Sequence, residues 1–185
     1  MPQAVAEIIF KSIWVGLLGV ALIAQFIFKG RVKQVGGVMA TMLVIAPYVI
    51  VFAWFSVRHI VGSFQPVFIV QLIGALLMLA GTVGYMVSIA YLRKNWAVSA
   101  AIKEGHTLVC WGPYKYVRHP MYFFMIMVVL GSGLLTSNVM IIIFTPVVAY
   151  LYYLRSGKEE EMLKHALPGY EEYSQRTRML FPGII

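Results

Sequence analysis

Three runs in this chain, residues 8–28, 38–57 and 67–92, are each about twenty or more positions of nearly unbroken apolar side chains. A helix of about 20 apolar residues matches the ~30 Å hydrocarbon layer of a bilayer, where each backbone N–H and C=O has to be paired inside the helix. The first run is interrupted only by Lys11, Ser12 and Gln25. A fourth apolar stretch, 121–154, is too long for one crossing. Its segment GSGLLTSN, 131–138, carries glycine, serine and asparagine turn signals and divides it into 121–135 and 139–154. One long kinked helix is the alternative for that stretch. The expected fold is an all-α integral membrane protein of five transmembrane helices, the last two forming a hairpin, with a cytoplasmic C-terminal amphipathic segment. Composition agrees: 61% of residues are hydrophobic and 12% charged, against about 25% charged in an ordinary soluble domain.

The basic residues orient such a bundle. Lys29, Arg31 and Lys33 fall in the first loop, and Arg93, Lys94, Lys103, Lys115 and Arg118 fall between the third and fourth spans. Arg155, Lys158, Lys164, Arg176 and Arg178 follow the fifth. With five spans and the N-terminus outside, all of these lie on one side, and only Lys11 and Arg58 lie near the other. The positive-inside rule makes that side cytoplasmic. The net charge of +8 thus implies anionic lipid headgroups, not nucleic acid, as the charge partner.

Several function classes drop out. Cys110 is the single cysteine, so the chain has no internal disulfide and no cysteine metal cluster. No metal site is expected. The chain has no Asp, and Glu7 is its only acid before residue 104. Neither a GxGxxG nor a Walker loop is present. The first apolar run lacks a cleavage site and is followed by further runs, so it reads as a span, not a removed signal.

Reactive groups are concentrated in the second half. Residues 1–92 read as three spans that form a scaffold and a route for a lipidic substrate. Residues 93–185 hold all but one of the acids and three of the four histidines. Within this half, GPYKYVRHPMY, 112–122, places Pro120 at the first turn of a span, where its missing N–H costs nothing. Gly112-Pro113 marks a turn just before. Arg118 and His119 then lie beside the positive end of a helix, where cations are disfavoured, which suggests an anion bound nearby. An interfacial role for Arg118, His119 and the tyrosines is the plainer alternative. Further on, Arg155 and Glu159 are four residues apart and share a face if the helix continues through Gly157. Met162, Leu163, Ala166, Leu167, Tyr170 and Tyr173 recur at helical spacing, with Pro168-Gly169 as a break.

Taken in order, HTLV, GPY, RHPxY, an apolar hairpin, RxxxE with adjacent glutamates, YxxY and a late Pro-Gly resemble the isoprenylcysteine carboxyl methyltransferase family over residues 93–185. Eukaryotic members have additional spans, so the chain resembles a prokaryotic or archaeal version. The resemblance implies methyl transfer from S-adenosylmethionine to the carboxylate of a lipid-modified, prenyl-type cysteine, giving a methyl ester and S-adenosylhomocysteine. It implies cofactor contacts at Ser99, His106, Thr107, Leu108, Val109, Tyr114, His119, Pro120, Met121, Tyr122 and Glu159. It places Arg155 on the substrate side, and Arg155 with Glu159 form the catalytic pair. Glu160 is the alternative register for Glu159. A carboxylate nucleophile needs no general base, in keeping with the lack of a recognisable catalytic dyad. Phospholipid N-methyltransferases and small-thiol S-methyltransferases of the same superfamily share the cofactor half of the pattern. A non-enzymatic transporter subunit is the reading from another class, and the scarcity of ionisable residues within the spans argues against it.

Overall fold

A computed structural model of the chain describes residues 2–27, 64–95 and 107–183. The expected span 38–57 lies outside the described residues, as do Ser99 and His106. Five α-helices are present among them: α1 (Gln3–Ile27), α2 (Phe68–Leu92), α3 (Pro120–Leu135), α4 (Val139–Ala166) and α5 (Tyr170–Arg176). Short 3-10 turns occupy Arg93–Asn95 and Gly112–Lys115. There is no strand among the described residues; Val117 and Arg178 form an isolated parallel bridge.

Two helices, α2 and α4, are long and apolar enough to cross a membrane. Their outward faces carry Phe68, Ile69, Leu72, Leu76, Leu79 and Val83 on α2, and Ile143, Phe144, Val147, Leu151 and Leu154 on α4. A soluble domain would not leave contiguous apolar surface of this extent in water. The chain therefore reads as a membrane protein.

The hairpin forms where expected but for a different local reason. Gly131, Ser132 and Gly133 belong to α3, and the chain turns at Thr136–Asn138 instead. Asn138 caps α4, its side chain accepting from the N–H groups of Met140 at 3.1 Å and Ile141 at 3.2 Å. The glycines serve packing. A Cβ on Gly131 would lie 2.7 Å from the Gly74 carbonyl oxygen, and one on Gly81 would lie 2.7 Å from that of Phe124. The α2–α3 pair is the most extensive helix contact among the described residues. Close backbone approach through small residues suits a bilayer, where lipid already solvates apolar side chains and packing has to drive association. From α1, Ala6, Phe10, Trp14 and Leu17 join the same core as Met78, Tyr85, Met125 and Val129.

The fifth expected span, 139–154, is the first part of a longer element. Helix α4 runs 28 residues, through Gly157, to Ala166. The apolar boundary at Leu154 ends the membrane-compatible part, not the helix. A mid-helix glycine costs about 1 kcal/mol, and the buried Glu160 one turn on holds the extended helix through its bonds to Arg118. Helix α4 stops at Leu167, which is extended (φ −116°, ψ 113°) because Pro168 follows it. Gly169, at φ 81°, then turns the chain into α5.

Candidate functional site

The segment before α3, the first turn of α3, the end of α4 and the tail beyond α5 meet in one place. Arg118 is the fastener. Its Nε and Nη2 donate to Glu160 Oε1 and Oε2 at 2.6 and 3.1 Å. Its Nη1 donates to the Ser174 carbonyl at 2.7 Å and to the Thr177 carbonyl. The main chain continues the tie, with Arg118 N–H donating to the Arg178 carbonyl at 2.8 Å and His119 N–H to the Met179 carbonyl at 3.0 Å. The anion expected beside these cations is therefore, for Arg118, a glutamate of the same chain.

One residue further on, the chemistry changes. Tyr122, in the first turn of α3, donates its hydroxyl proton to Glu159 Oε1 at 2.6 Å. The same hydroxyl oxygen accepts from Arg155 Nε at 2.7 Å. Arg155 Nε also lies 3.0 Å from Glu159 Oε1, so three side chains share one small polar knot. Arg155 is only 9% exposed and the Glu159 side chain only 17%, so this is no solvated surface pair. The Tyr122 ring stacks between His119, centroids 5.7 Å apart, and Tyr152, centroids 4.7 Å apart. The Arg155 guanidinium carbon lies 5.8 Å from the centre of that ring.

His119 sits between both acids. Its Nδ1 is 3.6 Å from Glu159 Oε2 and its Nε2 is 3.3 Å from Glu160 Oε1. The second contact lacks hydrogen-bond geometry, and Nε2 makes no hydrogen bond among the described residues although His119 is only 7% exposed. The Tyr170 hydroxyl is likewise buried without a partner among the described residues, in a ring near the charges of Glu160 and Arg118.

The upstream segment is held from two sides. Leu108 and Cys110 pack against Leu167, Tyr170 and Tyr173, and Val109 is buried. Tyr173 donates its hydroxyl to the Tyr114 carbonyl at 2.6 Å, and Tyr114 donates its own to the Ser88 carbonyl at 3.3 Å. Burial pushes both phenols above their ordinary range, so both remain protonated donors. Thr107 is exposed and is bonded to Asn95. Pro120 is buried at the start of α3, and Met121 is half-buried against the core.

Of the site residues expected from sequence, His119, Tyr122, Arg155 and Glu159 are in mutual contact. Thr107, Leu108, Val109 and Tyr114 form the neighbouring segment. Glu160 is bound up with Arg118. Sequence reasoning missed Tyr152 and Asn95. Tyr152, Arg155 and Glu159 fall at i, i+3 and i+7, a spacing that puts all three on one helical face. Asn95 gives no such signal, because its partner lies twelve residues further along the chain. Among the described residues, no group of three His, Cys, Asp or Glu side chains is arranged to hold a metal ion.

Comparison with known proteins adds four findings. The profile of the isoprenylcysteine carboxyl methyltransferase (ICMT) family matches residues 68–165. The chain is 31% identical over 114 residues to the cobalt-zinc-cadmium resistance protein CzcN of Cupriavidus metallidurans, a match covering 60% of this chain and 52% of that protein. It is 27% identical over 146 residues to the nickel-cobalt-cadmium resistance protein NccN of Alcaligenes xylosoxydans xylosoxydans, covering 70% of this chain and 68% of that one. In fold it resembles the eukaryotic intramembrane Ras methyltransferase ICMT, with a TM-score of 0.57 at 21% identity, over 82% of this chain and 55% of the other. The chain thus spans about half the length of CzcN and of the solved enzyme.

Proposed function

The chain belongs to the isoprenylcysteine carboxyl methyltransferase family, and from that premise we propose that it transfers a methyl group from S-adenosylmethionine to the carboxylate of a prenylcysteine-like lipid. The observation that carries this reading is the knot of Tyr122, Arg155 and Glu159 beside His119. It joins an acid and a guanidinium at the point where α4 leaves its apolar stretch. When bound, S-adenosylmethionine supplies a methyl on a positively charged sulfur, in a molecule that also carries an amino group and a carboxylate. The residues present fit such a group. Glu159 offers negative charge to its cationic part. The Tyr170 hydroxyl, buried without a partner among the described residues, is a polar atom that would cost about 1–3 kcal/mol if nothing bound it.

Arg155 is assigned to the acceptor. A guanidinium binds a carboxylate through a planar fork of donors, which fixes direction as well as distance. A carboxylate is already ionised at neutral pH, so the protein need only align it and exclude water. Glu160 is assigned to structure, because Arg118 already occupies both of its oxygens. The acceptor's apolar tail would reach the site through the bilayer, along the faces that α2 and α4 present to lipid. The gathering of basic residues around the site supports a cytoplasmic orientation, with five spans and the N-terminus outside.

A tritiated-methyl assay on purified protein tests this reading. An S-farnesylcysteine analogue should acquire base-labile label, while phosphatidylethanolamine and simple thiols should not. In sealed vesicles, added S-adenosylmethionine should be used only where the cytoplasmic face is outward. Label on phosphatidylethanolamine or thiols alone would transfer the assignment to an amine or sulfur acceptor. Use of the donor from the opposite face would reverse the topology.

A further inference from the structure

We propose that Asn95 is a positioning residue for the methyl donor, acting through the segment 107–114 without touching the donor itself. The inference rests on the methyl-donor reading above, which gives Thr107, Leu108, Val109 and Tyr114 to that ligand. Asn95 follows α2, just past the stretch 1–92 that the sequence presents as an unreactive scaffold. Its side-chain amide donates to the Thr107 carbonyl at 2.7 Å and lies 3.2 Å from Thr107 Oγ1. Its amide oxygen accepts from the Thr107 N–H at 3.3 Å. One side chain thus satisfies both main-chain groups of one residue, as a paired strand would.

Two more contacts from the end of α2 repeat the arrangement. The Ser88 carbonyl accepts the Tyr114 hydroxyl at 3.3 Å. The Tyr91 ring lies against Gly112, where a Cβ would collide with it and where φ is +63°. Ser88 and Tyr91 stand at i and i+3 on one face of α2, and Asn95 follows in the short turn that begins where Arg93, at φ +50°, breaks the helix. The end of α2 is therefore a rail that fixes the start, the turn and the end of the segment. From the other side, Leu108 and the Tyr114 carbonyl meet the Tyr170 and Tyr173 rings and hydroxyl. Asn95 is the one member of the rail whose side-chain polar atoms set the register of the segment's first residue. Thr107 is exposed, so water can satisfy its main chain once the amide is gone. The expected defect is therefore loss of register, not loss of fold.

The test is calorimetric titration of S-adenosylhomocysteine into detergent-solubilised wild type, Asn95→Ala and Asn95→Asp, with ligand-free melting temperatures measured in parallel. Asn95→Asp keeps an acceptor for the Thr107 N–H but sets an oxygen against the Thr107 carbonyl. Both variants should weaken the ligand about tenfold or more, with ligand-free melting close to wild type. Deuterium exchange at 107–110 should quicken in both, with that of α3 unchanged. If wild type binds and both variants bind equally well, the role of Asn95 falls while the methyl-donor reading stands. If weaker binding comes only with a collapsed ligand-free melting transition in both variants, Asn95 is structural and the inference also fails. If wild type itself does not bind, the methyl-donor reading fails first.

Discussion

Arg155 shows how far a single residue's role can be argued from its surroundings. It terminates the apolar face of α4, is largely buried, and holds Glu159 and the Tyr122 hydroxyl through one nitrogen. An interfacial cation of this kind is readily found in sequence, because it is the first charge after a long apolar run. Its i, i+4 glutamate is found the same way. Which of three successive glutamates does the work is not, because register on a helix decides it. Glu160 turns toward Arg118, and Glu159 toward Tyr122 and Arg155. Arg155→Lys keeps the charge and loses the fork. It should lower kcat/KM for an S-farnesylcysteine acceptor about tenfold or more, since one charged hydrogen bond is worth about 1.5–3 kcal/mol. Affinity for S-adenosylhomocysteine should change far less. Steady-state kinetics beside calorimetry separate the two. Full activity in Arg155→Lys would remove the residue from the acceptor site.

At the level of elements, apolar length gave the hairpin, and local chemistry decided the rest. The GSGLLTSN stretch contains the turn, yet its glycines lie in α3 against α2, where only a missing side chain lets the backbones meet. Turn propensity and close packing select the same residue, so the sequence alone could not separate them. The extension of α4 beyond Leu154 stays open in the sequence for a similar reason. Arg155 and Glu159 share a face only if the helix continues through Gly157, and a charged stretch after an apolar helix looks like a loop until its buried partners are known. That extension carries Glu160 to Arg118, and Arg118 to the tail. Both side chains of the pair are nearly buried, at 10% and 9% exposure. Glu160→Gln leaves the guanidinium without its countercharge and should cost roughly 3–5 kcal/mol. The expected readout is a lower melting temperature, with faster tryptic cleavage at Arg176 and Arg178. Cleavage at the wild-type rate would show that the tail is held by other contacts.

On the scale of the whole molecule, a lipid-facing bundle carries one polar corner. Helices α1 and α2 present apolar surface and small residues, while α3, α4 and the tail bring the ionisable groups together. That division is visible in composition, because the acids and histidines crowd into the second half. What composition conceals is that the first half also shapes the corner, through Ser88 and Tyr91, with Asn95 just beyond it. The central claim is that this corner binds a methyl donor. Its most direct test is calorimetric titration of S-adenosylhomocysteine into the purified, detergent-solubilised protein, with His119→Ala and Glu159→Ala alongside. The account predicts saturable binding by wild type and weaker binding by each variant, with a ligand-induced rise in melting temperature that shrinks in parallel. Wild-type protein that gives neither heat nor a thermal shift at saturating ligand would contradict it.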